Sequence, residues 1–376
     1  MPDSMPMSAS GADPAPLTRT RIAARGISFS FAPVCGIVSD FEIFDQGRKV
    51  SMMHRAPWAG SGIQLPPAAP PHQAHLEGDF FCAPFSDATA DNAPLHGWPA
   101  NGLWQVSGET DARTLRCTLH QTVMGAAVQK TLSLTDGHPF LYQQHVFTGG
   151  QGAIATANHA IISLPNGGHL RFSPKRWFET PADAPETNPA RGRSRLRYPA
   201  RNADPRHFPA ADGTMIDITH YPFGPAHEDF VIGVESPDSP LGWTAIARQQ
   251  ERDLYLSLRH PRRLPMTMLW HSNGGRDYPP WNGNHMACLG VEEGIALPLL
   301  HLTRHENPDI FANSGQISAL VLAPDATTDV RHITGCIAWP TAEAVQDIRL
   351  SGHELTVIGE QGAMRILPIR GDFLGL

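Results

Sequence analysis

The chain lacks several patterns that assign common protein classes. It has only five cysteines, and no two of them form a C-x-x-C pair, which excludes a zinc ribbon and a disulfide framework. G-x-G-x-x-G, Walker A and G-x-S-x-G motifs are absent, which removes the usual nucleotide-binding and serine-hydrolase classes. The sequence also has neither an apolar run long enough to cross a bilayer nor the pattern of a secretory signal. We therefore expect a cytoplasmic protein with no membrane partner.

Charge is also scarce. Charged residues make up 17 % of the 376 residues, against roughly 25 % in typical soluble domains, and few segments resemble charged surface helices. This composition excludes an all-α fold. Basic residues number 29 and acidic residues 36, and the net charge of −7 argues against a nucleic-acid partner. Hydrophobic residues reach 41 %, which is enough to build a globular core.

Glycine and proline are abundant, at 34 and 35 residues, and favour many turns between short strands. Apolar residues recur at every second position, as in strands with one buried face. Residues 355–366 predict a hairpin, whereas residues 341–348 are the best short helix candidate. This pattern predicts one all-β antiparallel domain over residues 21–376, after a flexible N-terminal tail over residues 1–20. The clearest alternation is at Leu115, Cys117 and Leu119, and again at Leu254, Leu256 and Leu258.

Two stretches predict loops. Residues 66–71 read P-P-A-A-P-P, and proline fixes φ and lacks an amide donor. Residues 180–212 mix Pro, Asp, Asn and Arg and predict a long excursion over one face of the sheet. Functional sites often lie in such long loops on a rigid scaffold.

The segment Pro94-Leu95-His96-Gly97-Trp98 is the first candidate for chemistry. A ligand can approach a histidine closely when it stands beside glycine, and a tryptophan offers a flat apolar face for a sugar ring. On residue types alone, the same residues are more typical of a turn whose histidine binds the backbone and whose tryptophan belongs to the core.

Two further segments place a titratable residue on a strand. Alternation puts His159 on the face opposite Asn158, and it puts Glu292 on the same face as Gly290 and Cys288. A carboxylate beside glycine has the open space that a base facing a substrate needs. A hydrogen-bonded structural histidine and a solvated edge carboxylate are the competing interpretations.

Two other groups suggest binding of ions. His72, His75, Glu77 and Asp79 lie close together in the sequence, and His301 and His305 have the i, i+4 spacing of two ligands on a helix. The first group lacks H-x-H and the second lacks the glutamate of H-E-x-x-H, so we do not expect a catalytic metal. Four arginines alternate with other residues, and in an extended segment they would line up as an anion site. A solvated loop is the stronger interpretation of this segment. The four residues are Arg191, Arg193, Arg195 and Arg197.

Taken in order, these segments resemble the galactose mutarotase-like superfamily, which includes aldose 1-epimerases and hexose-6-phosphate mutarotases. The resemblance covers roughly residues 41–294. Its main elements are an early hairpin (F-E-I-F-D-Q-G-R-K-V), C-A-P-F followed by P-L-H-G-W, the pair Asn158-His159, and L-G-V-E ending at Glu292. The fold that it implies is a large, twisted antiparallel β-sandwich with a concave face that binds a sugar.

The resemblance also implies an activity. Glu292 would be the general base that takes the proton of the anomeric hydroxyl, and His159 the general acid that protonates the ring oxygen. His96 would hold or polarise a small carbohydrate, with neither metal nor nucleotide as cofactor. A sugar-binding protein without catalysis and, as a weaker alternative, a metal-dependent enzyme using His72, His75 and Glu77 remain open. The substrate would be bound by Arg55, Asp79, Asn158, Trp98 and Trp270.

Overall fold

A computed structural model describes residues 17–63, 65–87, 90–107, 112–307, 309–312 and 314–376. The first strand begins at Thr20, where the predicted tail ends. Residues 1–16 of that tail lie outside the described residues, so its flexibility stays a prediction.

Strands dominate the described residues. Two short helices, α1 (Gly97–Asn101) and α2 (His301–Glu306), accompany them. None of the described helices has the length and hydropathy required to span a membrane. The strands are β1 (Thr20–Ala24), β2 (Ile27–Ala32), β3 (Ile37–Asp45), β4 (Arg48–Val50), β5 (Asp79–Cys82), β6 (Trp104–Val106), β7 (Thr114–Leu119), β8 (Ala126–Ser133), β9 (Phe140–Gly149), β10 (Gly152–Ile154), β11 (Thr156–Ser163), β12 (Gly168–Phe172), β13 (Lys175–Glu179), β14 (Arg201–Asn202), β15 (Phe208–Pro209), β16 (Met215–Ile216), β17 (His220–Tyr221), β18 (His227–Glu235), β19 (Gly242–Arg248), β20 (Asp253–Arg259), β21 (Met266–Asn273), β22 (Cys288–Ile295), β23 (Leu320–Leu322), β24 (Thr327–Ala338), β25 (Val345–Ser351), β26 (Glu354–Gly359) and β27 (Met364–Pro368).

Two large antiparallel sheets form the body of the fold. Eleven strands make the first sheet, in the order β1-β2-β3-β5-β11-β22-β21-β18-β13-β14, with β4 beside β3. Nine strands make the second, in the order β17-β12-β19-β20-β24-β9-β8-β7-β6. A three-stranded sheet, β25-β26-β27, and two strand pairs, β10-β23 and β15-β16, complete the described strands.

The two large sheets pack face to face around one apolar cluster, which includes Phe29, Phe81, Leu269 and Val291. A second cluster covers the outer face of the eleven-stranded sheet, and a third lies between the nine-stranded and three-stranded sheets. The central strands are therefore buried on both faces, as in β11, β20, β21 and β22. This arrangement confirms the predicted all-β sandwich, and it buries the polar residues of the central strands.

The hairpin predicted over residues 355–366 is confirmed by β26 and β27. The helix predicted over residues 341–348 is wrong, because β25 begins at Val345. A β-bulge shifts the register between Val345 and Asp347, so the buried Val345 and Ile348 stand three residues apart. That spacing is normal for a helix, and it misled the interpretation of the sequence.

Candidate active site

His159 and Glu292 lie opposite each other on neighbouring strands. The register of β11 and β22 pairs the two residues directly, so their side chains point to the same, outer face of the eleven-stranded sheet. His159 Nε2 lies 3.1 Å from Glu292 Oε1. The expected alternation therefore brings together an acid–base pair from residues that are 133 positions apart in the sequence.

Both side chains are buried and incompletely paired. Among the described residues, His159 Nδ1 and Glu292 Oε2 have no hydrogen-bond partner. Burial raises the pKa of Glu292 well above its usual value and lowers the pKa of His159 to about 3. Burial therefore favours a protonated Glu292 beside a neutral His159, and the pair holds one proton between its facing atoms.

His96 packs edge-on against His159, with 5.7 Å between the ring centroids. The turn that carries it depends on Gly97, whose φ is +73°, because a Cβ at this position would lie 1.9 Å from the carbonyl oxygen of Ala83. The backbone N–H of Ser86 points at His96 Nδ1 from 3.4 Å. Nδ1 therefore accepts, and Nε2 carries the proton of the neutral ring.

His72 forms a third member of this histidine group. Its ring lies 5.1 Å from that of His96, between centroids. Its Nδ1 is 2.9 Å from Asn101 Oδ1, while the amide nitrogen of Asn101 donates to two backbone carbonyls. Because that geometry makes Oδ1 an acceptor, Nδ1 of His72 is the donor and Nε2 is left as an acceptor.

A cavity of about 370 Å³ opens over these residues. This volume falls within the range of small-molecule sites. Its walls combine aromatic rings with a few polar groups. They include His72, His96, His159, Glu292, Phe85, Phe230, Trp270, Trp281, Arg276 and Asp183.

Glu228 lies behind one wall and fixes its orientation. Glu228 Oε1 accepts a hydrogen bond from Trp270 Nε1 at 2.5 Å and lies 3.5 Å from Arg276 Nε. The Arg276 guanidinium in turn lies 4.5 Å from the centroid of the Trp281 ring. One buried carboxylate therefore holds both an aromatic face and a cation at the cavity wall.

Four of the residues predicted to bind substrate lie elsewhere. Asp79 and Asn158 face the interior between the large sheets, where Asp79 accepts from Gln143 at 2.6 Å. Arg55 is committed to Glu77, with 2.6 Å between Arg55 Nε and Glu77 Oε2. Trp98 packs against the inner core. The structure brings Glu292, His159, His96 and Trp270 to the cavity, and it does not bring Asp79, Asn158, Arg55 or Trp98 there.

The candidate ligands between residues 72 and 79 are dispersed as well. His72 binds Asn101, and Glu77 pairs with Arg19 and Arg55, so this segment does not form a ligand set. His301 and His305 do lie side by side on α2, with ring centroids 4.6 Å apart.

The arginines of residues 191–197 do not form an anion site either. Arg193 Nη2 lies 2.8 Å from Asp277 Oδ1, and Arg191 stacks over the ring of Tyr278. The charges of Arg191 and Arg193 are therefore already partnered within the protein.

Sequence reasoning missed Arg276 and Trp281 and assigned His72 to a different chemistry. Arg276 and Trp281 lie on the loop 274–287, directly after the strand that carries Trp270. The run Asn273-Gly274-Gly275 marks this loop in the sequence, but no spacing rule says that the loop folds back over the cavity. The predicted excursion over residues 180–212 does contribute to the cavity wall, through Pro181, Asp183 and Pro185.

Comparison of the architecture with solved structures shows its class. A proposed aldose 1-epimerase from Escherichia coli K12 superposes with a TM-score of 0.57 at 14 % identity, over 85 % of this chain and 99 % of that one. The Slr1438 protein of Synechocystis sp. PCC 6803 superposes with a TM-score of 0.52 at 11 % identity, over 88 % of this chain and 100 % of that one. A proposed aldose 1-epimerase from Klebsiella pneumoniae superposes with a TM-score of 0.52 at 14 % identity, over 84 % of this chain and 78 % of that one.

These likenesses place the architecture among the all-β sandwiches. The chain has a galactose mutarotase-like fold. No protein-family profile and no curated protein matches the sequence. At these identities the comparison establishes the fold, and the chemistry has to be argued from the site.

Proposed function

We propose that this protein is a mutarotase, an aldose 1-epimerase-like isomerase that interconverts the α and β anomers of a sugar. The observation that carries the proposal is the distance of 3.1 Å between His159 Nε2 and Glu292 Oε1 inside the cavity. Ring opening requires one group to take the proton of the anomeric hydroxyl and another to give a proton to the ring oxygen. Both oxygens are bonded to the same carbon, so the acid and the base must lie close together.

The pair contains the one proton that this reaction needs. Transfer of that proton from Glu292 to His159 generates the carboxylate base and the imidazolium acid that the resemblance implies. Glu292 then accepts the hydroxyl proton while His159 protonates the ring oxygen, and the bond between the anomeric carbon and the ring oxygen breaks. Rotation about the adjacent carbon–carbon bond and reversal of the two proton transfers yield the other anomer.

The remaining walls fit a sugar. The Nε2–H of His96 is a donor for a sugar oxygen, and the Trp270 ring supplies an apolar face beside His159, with 6.1 Å between centroids. The histidine rings are held neutral by burial, because the pKa of His96 is well below its usual value and that of His72 is about 4. Neutral donors and acceptors beside aromatic faces suit a polyhydroxylated ligand.

Anomer exchange measured by magnetisation-transfer NMR tests the proposal. Neutral, phosphorylated and acidic sugars are compared with wild type, Glu292→Gln and Glu354→Gln. Glu354 is an exposed residue of β26 and serves as the matched control. We expect acceleration by wild type and Glu354→Gln, and a loss of about 10²- to 10⁴-fold in Glu292→Gln.

Two results would contradict this expectation. An undiminished rate in Glu292→Gln removes Glu292 from the mechanism. If no sugar exchanges faster but one of them raises the melting temperature, the protein is a carbohydrate-binding protein on the same fold. This carbohydrate-binding alternative is favoured by the absence of Arg55, Asp79 and Asn158 from the cavity wall.

A further inference from the structure

A second cluster of potential ligands lies on the same sheet face, next to the sugar cavity. His54, His285 and Cys288 each offer one ligand atom, and these atoms lie within 4.8 Å of one another. Cys288 precedes Glu292 by four residues on β22, so the two are separated by about 13 Å along the strand. Nothing in the proposed isomerase chemistry uses these three residues.

Two imidazole nitrogens in this cluster are buried without a partner. His54 is 9 % exposed and His285 is 1 % exposed, and in both rings Nε2 makes no hydrogen bond within the described residues. Cys288 is fully buried and its thiol is free. Buried polar atoms are nearly always hydrogen-bonded, so two such nitrogens beside a thiol leave open capacity for a ligand shared by all three.

The hydrogen bonds behind His285 set its tautomer. The Ser272 hydroxyl donates to Glu228 Oε2 at 2.9 Å, and Ser272 Oγ lies 2.7 Å from His285 Nδ1. Since the hydroxyl has a single proton, Nδ1 of His285 must donate to Ser272. The lone pair of His285 is therefore on Nε2, which is the arrangement that outer-shell partners impose on histidines that bind metals.

We propose that His54, His285 and Cys288 form a zinc site that anchors the loop 274–287. Two imidazoles and one thiolate suit Zn²⁺, with Zn–N distances of about 2.0–2.1 Å and a Zn–S distance of about 2.3 Å. Tetrahedral coordination, with a water molecule as the fourth ligand, draws the three ligand atoms together by about 1 Å, which side-chain rotation supplies. Binding replaces the proton on the Cys288 sulfur, and that proton leaves to solvent.

The site would join three segments around the sugar cavity. His54 lies on the segment that carries Trp58, Cys288 begins the strand of Glu292, and His285 lies on the loop of Arg276 and Trp281. The His285 ring also stacks on Trp270, with 5.4 Å between centroids and an interplanar angle of 15°. A metal at this position therefore fixes the wall of the cavity without reaching its acid–base pair.

Metal content of the full chain, purified without an affinity tag, tests the site independently of any sugar chemistry. Metal-free protein is titrated with Zn²⁺ against a competing chelator, and separately with Co²⁺ as a spectroscopic probe. We expect about one zinc per chain, a Co²⁺ spectrum with a thiolate charge-transfer band, and a rise in melting temperature with added zinc. Because the Co²⁺ spectrum is read on wild type, it needs no variant to fold.

The variants distinguish this site from other binders. Cys288→Ser and His285→Gln should lose the stoichiometric zinc, and Ser272→Ala should weaken binding by about 10- to 100-fold. Cys336→Ser changes another buried cysteine, and His301→Gln disrupts the histidine pair on α2. Both variants should bind zinc normally. The proposal is overturned if wild type binds no stoichiometric zinc, if Co²⁺ shows no thiolate band, or if only His301→Gln loses the metal.

Discussion

Two adjacent carboxylates on β22 have opposite surroundings. Glu293 faces the interior between the large sheets, where it accepts hydrogen bonds from Thr244, Ser257 and Thr267 at 2.6, 3.1 and 2.8 Å. It also pairs with Arg259, at 2.8 Å between Glu293 Oε2 and Arg259 Nη1. Glu292 faces the cavity, where His159 is its close partner and one of its oxygens has none.

This contrast distinguishes buried polar groups that stabilise the fold from those that are available for chemistry. The interior contains a continuous set of ion pairs, in which Arg259 connects Glu293 to Glu235 and Lys175 also binds Glu235. Such charges compensate one another within the interior. Chemistry is available where hydrogen-bonding capacity is left open beside a cavity, as at Glu292 and His159.

The largest expected effect compares two buried histidines. His159→Gln should slow anomer exchange by about 10²- to 10⁴-fold, because it removes the general acid, with little loss of stability. His332 is bound to Ser257 at 2.8 Å in the interior, and His332→Gln should leave exchange unchanged while lowering the free energy of unfolding by about 1–3 kcal/mol. NMR exchange and urea unfolding on both variants measure the contrast. A large rate loss in His332→Gln would show that the interior takes part in catalysis.

Removal of the interior carboxylate should mainly affect stability. Glu293→Gln leaves Arg259 without one of its two charge partners in a region that is sealed from water, and we expect a loss of about 3–5 kcal/mol in the free energy of unfolding. Urea unfolding monitored by circular dichroism measures this loss. The matched Glu292→Gln variant should unfold at nearly the wild-type urea concentration. Equal destabilisation by both substitutions would remove the distinction between the two faces.

The pH dependence of stability should reveal the neutral histidines. Burial lowers the pKa of His72 to about 4 and that of His332 to about 3, against 6.5 for an ordinary histidine. The unfolded chain takes up these protons below pH 6.5 and the folded chain does not, so stability falls as the pH drops from 6.5 towards 4. Each of the two histidines should cost about 2 kcal/mol at about pH 5.

Buried carboxyls act in the opposite direction, because burial raises the pKa of Asp79 to about 6 and the folded chain then holds the extra proton below that pH. The histidines outnumber them, so net acid sensitivity is expected. Urea unfolding at about pH 7.5 and about pH 5 gives the loss in free energy of unfolding between these two pH values. That loss should be smaller by about 2 kcal/mol in His72→Gln than in wild type. An equal loss in the variant and in wild type would mean that His72 titrates normally in the folded protein.

The smallest expected effect concerns the tryptophans. Trp270→Leu removes an aromatic face from the cavity wall and should weaken sugar binding by about tenfold, whereas Trp98→Leu should leave affinity unchanged because Trp98 packs against the inner core. Isothermal calorimetry with whichever sugar exchanges in the NMR panel measures both affinities. Weaker binding in Trp98→Leu alone would restore the role that was expected from the sequence.

Much of the fold could be predicted from the period-two pattern. Leu115, Cys117 and Leu119 alternate with exposed neighbours in β7, as expected. The failure at residues 341–348 has a local cause, because a bulge changes the spacing of buried residues in β25. Alternation carries no information on bulges, so that error could not be avoided from spacing alone.

The candidate site was only partly predictable. Alternation separates His159 from Asn158 and Glu292 from Glu293, but it does not say which face is interior. That fact decides the placement of Asn158 and Asp79, and it depends on how the two sheets pack. Arg276 was missed for another reason, since its position depends on the path of a loop that has no periodicity.

The opposite roles of Glu292 and Glu293 also restrict how this protein can evolve. A single inserted or deleted residue in β22 would exchange the faces of the two carboxylates. Glu293, which pairs with Arg259, would then face the cavity, and Glu292 would lie among the ion pairs. Changes of length within the central strands should therefore be purged in descendants of this gene. New substrate preferences would have to arise in the loops at the strand ends, around residues 181–185 and 274–287, where the cavity wall can change while the strand register is kept.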